Sequence, residues 1–417
     1  MRTAPDFPTD VRRSTTFSAL RHRNFRLMWS SLLVSNSGYW LQTVAQDYLV
    51  YELSGRALDL GIVSMVRAVP LISLSFFGGA VADRLNQRRV LMVTQSLFAA
   101  LAGLLGLLVQ LHAIRVWHVV AASFFNAVLM SVDNPVRQSL LVRLVPREHL
   151  MNAIALNSVT FIGAAAIGPA LAGPVVSAFG MAAGFYLNAV SYFAVIWAVW
   201  AMRLPGREHH GQREPVRDAL VSGLSYIASS PLILLLVSLL MVFTFFAMPY
   251  QAMLPVFARR AFGGGLHELS YLRAAPGLGS LLGGLLLARF SSFPRKDFLV
   301  LGSCFGMTAA LLAFSFTRWL MVALVLLFGV GVLWSVFQST VQILMQQLTT
   351  DQMRGRVMSL FTVSVIGTWP LGALPMSWAA DRFGVAAATV CGALVAGLYA
   401  LALAVKARRL LGGLRES

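Results

Sequence analysis

The stretch 232–248, LILLLVSLLMVFTFFAM, is apolar apart from one serine and one threonine, and 97–111, LFAALAGLLGLLVQL, reads the same way. A helix needs about 20 mostly apolar residues to cross a bilayer, and both runs are centres of such segments. In lipid the backbone must satisfy its own hydrogen bonds, so the runs read as helices and not as strands. Working outward along the 417 residues yields twelve candidate spans: 25–51, 57–82, 89–112, 116–143, 151–178, 181–202, 226–253, 266–289, 297–316, 319–347, 355–379 and 384–406. Several exceed the minimum length, which predicts tilt.

Composition agrees, with 58% apolar and only 12% charged residues, about half the usual charged share. The net charge of +17 raises the question of nucleic acid. No run of Lys or Arg is long enough for a nucleic-acid arm, and the basic residues sit in short loops between spans, which excludes that partner. The first 25 or so residues are polar and basic without a short apolar core or a small-residue cleavage site, so no removable signal peptide is expected. Cys304 and Cys391 lie inside apolar runs and read as small buried hydrophobes, with no disulfide or metal site.

The predicted organisation is an N-terminal tail (1–24), a six-helix bundle (25–203), a polar connector (204–218), a second six-helix bundle (219–408) and a C-terminal tail (409–417). Of the 33 basic residues, 24 fall on the side of the membrane that carries both termini, and six fall on the other: Arg56, Arg115, Arg259, Arg260, Arg318 and Arg382. By the positive-inside rule this places the termini and the connector in the cytoplasm of a bacterial inner membrane.

The two bundles repeat. Arg67-Ala68-Val69-Pro70 returns 206 positions later as Arg273-Ala274-Ala275-Pro276. At a shift of 204, Gln138 meets Gln342, Leu144 meets Leu348, Gly163 meets Gly367, Gly168 meets Gly372, and Phe179-Gly180 meets Phe383-Gly384. Matches at a nearly constant offset in corresponding spans indicate duplication, a build shared by many transporters.

With these residues on view, the chain resembles the major facilitator superfamily, and within it the enterobactin-exporter-like branch, or transmembrane secretion effectors. The resemblance spans nearly the whole chain. It is carried by Asn24-Phe25-Arg26, by Gln42, Ala45 and Gln46 with Leu49-Val50-Tyr51-Glu52-Leu53, by Gly79, Asp83, Arg84, Arg88 and Arg89, by Pro135, Arg137 and Gln138, by Asn152-Ala153, and by Gly168-Pro169. It implies twelve transmembrane helices in two pseudo-symmetric bundles and a secondary transporter that works by alternating access. It further implies export of a drug, siderophore or other metabolite, with protons as coupling ion, no cofactor and a monomeric chain.

Gly79, Asp83, Arg84, Arg88 and Arg89 match the superfamily's loop signature, in which a carboxylate and guanidinium groups at an inner helix end hold the cytoplasmic side closed. Asn86 stands where glycine is usual, as a residue that tolerates a left-handed turn, and Gln87 where an arginine is usual. Topology alone also accounts for the arginines. Gly163, Gly168, Pro169 and Gly173 resemble an antiporter motif, read as close helix packing and a bend at proline; ordinary small-residue packing is the alternative. Pro70, Pro276 and Pro370 are further candidate kinks.

Charge inside a span is costly and therefore informative. Asp133 and Arg137 stand i, i+4 on one helical face and read as a local ion pair, with Arg137 a candidate for the inner gate. Asp47 has only Val50 and Tyr51 at i+3 and i+4. It is the candidate proton-coupling carboxylate, unless pairing with Arg67 makes it a fixed anion. Arg67 and Arg273 hold matching places in the two halves and would favour anionic or catecholate-like cargo, unless each anchors a neighbouring group. Trp40, Gln42, Gln46, Tyr250, Gln251, Trp334, Gln338 and Gln342 supply a candidate aromatic and amide lining. No phosphate-cradling loop, nucleophile elbow or histidine cluster appears, so an enzyme is not expected. An uptake symporter or lipid flippase on the same fold, and a receptor without transport, stay open.

Overall fold

The computed structural model describes residues 17–84, 86–202, 225–289 and 295–413. The connector at 204–218 and most of the N-terminal tail lie outside them. All regular elements among the described residues are helical. The first half comprises α1 (Arg23–Ser54), α2 (Ala57–Arg84), α3 (Gln87–Gln110), α4 (Val116–Arg143), α5 (Leu150–Phe179) and α6 (Met181–Ala201). In the second half, span seven consists of α7 (Pro231–Val242), a π turn (Phe243–Ala247), a 3-10 turn (Met248–Gln251) and α8 (Leu254–Arg260). Then follow α9 (Leu266–Arg289), α10 (Lys296–Phe316), α11 (Leu320–Leu348), span eleven as α12 (Asp351–Ile366) and α13 (Thr368–Phe383), and α14 (Val385–Gly413).

Eleven helical stretches among the described residues are long and apolar enough to cross a bilayer. The twelfth expected span, α1, is not among them, because it carries Ser35, Gln42, Thr43, Gln46 and Asp47. Every residue from Leu41 to Asp47 is buried. Helix α1 packs on α5 and α6, so protein and not lipid solvates its polar face. Its last turn closes on Gly55 at φ +66°, whose N–H donates to the Tyr51 carbonyl at 2.8 Å. On the outward faces Leu104, Phe193, Trp197, Leu285, Val325 and Leu398 are exposed, as lipid contact requires.

Packing repeats along with sequence. Helix α2 packs on α4, α3 on α6 and α3 on α4, and their counterparts α9 on α11, α10 on α14 and α10 on α11 do the same. The halves meet where α5 crosses α9 and where α2 crosses α13, two contacts that exchanging the halves interconverts.

Helices α2 and α9 run unbroken through Pro70 and Pro276; of the three prolines named as candidate kinks, Pro370 alone accompanies a break, in the first turn after Gly367. Span seven was expected as one helix and is interrupted, since Pro249 has no N–H for a carbonyl one turn back and the chain widens into a π turn. The break is sealed from lipid. Trp369 Nε1 donates to the Met248 carbonyl at 3.2 Å, and the Phe245 and Phe246 carbonyls abut Gly372 and Gly392 so closely that a Cβ at either would overlap the oxygen. Irregular backbone at this depth persists only when buried in protein.

Gly168 plays the matching part in the first half: a Cβ there would stand 2.6 Å from the Trp40 Cβ, so α5 and α1 touch at backbone distance. Gly163 departs from the packing expectation, because nothing lies within 4 Å of its would-be Cβ. Helix α5 continues through Pro169 and Pro174. Of the cysteines, Cys304 is buried but Cys391 is exposed on α14, contrary to the expected burial. A lipid-facing thiol suits an apolar run as well as a buried one.

Candidate functional site

Asp47 sits two turns before the end of α1, with no cation in reach on its own helix. Its carboxylate accepts from Nη2 of Arg273, two turns into α9 of the other half. The expected alternative partner, Arg67, is not used. Both side chains are nearly enclosed, with exposures of 12% for Asp47 and 8% for Arg273. Among the described residues, Arg273 Nε is buried with no acceptor in reach.

Other bridges between the halves lie on the same side, away from the chain termini. Both oxygens of Asp381, at the end of α13, accept from the first amides of α2, Ala57 N–H at 2.7 Å and Leu58 N–H at 2.8 Å. These amides have no partner within their own helix, and a carboxylate at a helix N-terminus also meets the positive end of its dipole. Glu52 and Arg259 form a looser surface pair at 3.8 Å. Small residues close the remaining gaps, with Gly61 against Leu374 and Ser377, and Gly173 against His267 and Ser270. Together these contacts hold the far ends of α1, α2 and α5 against the second half.

Asp133 and Arg137 pair on α4. Asp133 is fully buried and also accepts from Thr94 Oγ1 at 2.7 Å and Gln95 Nε2 at 3.0 Å. Those bonds brace α3 against α4 inside the first half. Gln87, in the place of an arginine, continues the brace: it donates to Ser139 at 3.0 Å and accepts from Arg143 at 3.2 Å. Asn86 does not use the left-handed conformation expected of it. It is extended, at φ −68° and ψ 107°, and caps α3 by accepting from the Arg88 and Arg89 amides. Arg88 donates to the Trp200 carbonyl at 2.6 Å, which ties α3 to α6. Gly79, Asp83 and Arg84 fall in the last turns of α2, where side chains lie outside the described residues.

The family stretch at 24–26 and Asn152 have a plain structural use. Phe25 is fully buried, and Asn152 accepts from the Ala19 amide at 3.0 Å, pinning the N-terminal 3-10 turn to α5. His22 and His149 share a 2.8 Å hydrogen bond across the same junction.

A recess of about 20 Å³ opens among α1, α2, α3, α4 and α6, lined by Tyr39, Gln42, Gln46, Arg67, Ser123 and Asn126 with apolar neighbours. Gln46 Nε2 donates to Ser123 at 3.1 Å, and Gln42 Oε1 accepts from Asn188 Nδ2 at 2.6 Å. Arg67 is half-buried and makes no ion pair among the described residues. The rest of the expected lining is not gathered here. Trp40 turns towards α5, its ring 6.1 Å from that of Phe161. Tyr250 is buried against Phe314, and the half-buried Trp334 packs on Phe337. Gln251, Gln338 and Gln342 are half-buried elsewhere in the second half.

Ser123, Asn126, Asn188 and Asp381 escaped the sequence reading. One signal for Asp381 was available, since Ala380-Asp381-Arg382 echoes Ala82-Asp83-Arg84. Neutral polar residues such as Asn126 carry no comparable mark.

Residues 14–411 match the sequence profile of a family described as transmembrane secretion effector. The staphyloferrin A transporter of Staphylococcus aureus is 25% identical over 367 residues, 86% of this chain and 90% of that protein. A multidrug efflux pump of Mycolicibacterium fortuitum is 25% identical over 368 residues, 86% of this chain and 89% of its own. In three dimensions the chain is similar to a bacterial homologue of the human lysosomal transporter Spinster, with a TM-score of 0.70 at 14% identity, over 92% of this chain and 95% of that one. The shared fold is that of the major facilitator superfamily.

Proposed function

The chain belongs to the transmembrane secretion effector family of the major facilitator superfamily, and from that premise we propose that it exports a small organic molecule from the bacterial cytoplasm in exchange for protons. The excess of basic residues beside the termini supports a cytoplasmic assignment for that side. The side bridged by Asp47, Arg273 and Asp381 is then the outer one, held shut in this state. The names of the relatives, a siderophore transporter and a drug efflux pump, support export of a metabolite or drug.

The single observation that carries the reading is the ion pair between Asp47 and Arg273, which joins the two halves inside the membrane-spanning region. Removing one partner of a buried pair costs about 3–5 kcal/mol, because it leaves the other charge without compensation. Opening outward must separate the two, and cargo binding from inside offsets that cost. Once the outer face is open, Asp47 meets the outer medium and takes up a proton. Neutral Asp47 no longer attracts Arg273, so the latch cannot re-form while the cargo leaves. Release of the proton inward restores the pair and resets the latch. Proton and cargo thus act on one equilibrium from opposite sides.

The test is accumulation of candidate siderophores and drugs in everted vesicles, with and without a pH gradient, for wild type and Asp47→Asn. Gradient-driven uptake that the substitution abolishes is the expected result. Equal gradient-driven uptake by the variant refutes proton coupling through Asp47.

A further inference from the structure

We propose that Arg67 and the recess it lines form a subsite for an anionic head group, a carboxylate or an acidic phenol, which narrows the cargo to amphiphilic organic acids; this rests on the transport reading. Among the described residues, three arginines lie deep within spans, six or more residues from either end of their helices: Arg67, Arg137 and Arg273. Arg137 is matched by Asp133 and Arg273 by Asp47. Arg67 alone of the three is left without a carboxylate, and neither Asp nor Glu lines its recess. A guanidinium at that depth is costly and calls for a counter-charge.

The neighbouring groups fit an anion. Because the Gln42 carbonyl oxygen is held by Asn188, its amide nitrogen remains a donor beside Arg67. Ser123 and Asn126 add polar atoms on the α4 side, and Tyr39 a further hydroxyl. A planar guanidinium binds a carboxylate through two parallel hydrogen bonds, a geometry a neutral amide does not reproduce.

Size fixes what enters. About 20 Å³ holds one water or one small terminal group, whereas whole drug-sized ligands occupy roughly 300 Å³ or more. The recess therefore takes the head alone, and the body lies outside it. Beside the polar atoms stand Leu101, Leu105 and Phe98, the last stacked on Tyr192 at 5.3 Å, a wall suited to an apolar or aromatic neighbour of the charged group.

The decisive experiment measures equilibrium binding of 2-naphthoate and its neutral isostere 2-naphthamide to the purified full-length chain in lipid nanodiscs. Wild type is expected to prefer the acid by about tenfold, and Arg67→Gln to bring the two within about twofold. Equal affinities in wild type, or a preference that survives in Arg67→Gln, overturn the subsite. Should Arg67→Gln fail to fold, Asn126→Cys in a Cys391→Ser background decides: naphthoate is expected to shield the new thiol from a maleimide and naphthamide is not, and equal labelling overturns the placement. Binding needs no turnover, so the two readings fail separately. Acid preference without flux of any candidate removes the transport reading, and flux without acid preference removes the subsite.

Discussion

Replacing Asp47 by Asn deletes one charge from the latch while keeping its shape. The pair joins α1 to α9 across the interface, and its side chains are 12% and 8% exposed. The expected cost is near the lower end of the roughly 3–5 kcal/mol for an orphaned buried charge, because the Asn carbonyl still accepts from Arg273. At 1.4 kcal/mol per decade, about 3 kcal/mol moves the equilibrium between outer-closed and outer-open forms by about a hundredfold. Neither half has its own packing disturbed, so the loss appears as a change of state and not as unfolding. Spin labels at Leu111 and Trp319, both exposed and on the far side of different halves, read that change as a distance distribution. A longer component is expected in Asp47→Asn and again in Arg273→Gln. Glu52→Gln, which removes the exposed pair with Arg259, is expected to leave the distribution nearly unaltered, as surface pairs contribute about 0–1 kcal/mol. An unchanged distribution in Asp47→Asn, with the protein folded, refutes the latch.

Asp381→Ala leaves the first amides of α2 without their acceptor; a lost cap costs about 1 kcal/mol, so hydrogen exchange at Ala57 and Leu58 is expected to rise about fivefold. Gly372→Ala sets a Cβ into the Phe245 carbonyl and is expected to lower the melting temperature in detergent or abolish the folded protein. Gly163→Ala faces open space and is expected to be neutral or stabilising by up to about 1 kcal/mol in the same melt. Asp133→Asn strands Arg137 among α3 and α4 and is expected to destabilise the first half by several kcal/mol. An unshifted melting curve for Asp133→Asn contradicts the bracing role.

Twelve spans, their pairing into two sixes and the family were legible before any coordinates, because lipid imposes a length and a polarity on each helix separately. The Asp133 and Arg137 pair was legible for the same local reason, being one helical turn apart. Gly168 and Gly372 were marked by the repeat, and packing explains the mark: each lets span five or eleven touch span one or seven. Which proline interrupts its helix was not legible. Proline at positions 70 and 276 leaves its helix unbroken, while the Pro249 segment breaks where Gly372, Gly392 and Trp369 are placed to receive its carbonyls.

Charge pairing across the interface was the least legible feature. From the sequence, Arg67 and Arg273 are equivalent by repeat and either could meet Asp47. Their fates differ because α1 meets α9 of the other half, which brings Arg273, 226 positions away, to the Asp47 carboxylate. Periodicity and composition report what each helix must bury, and they determined a two-part membrane protein. Which acid neutralises which base depends on angles and distances between helices that no local pattern encodes, so the tertiary structure alone decided that Asp47 bridges the halves and that Arg67 is left facing the recess.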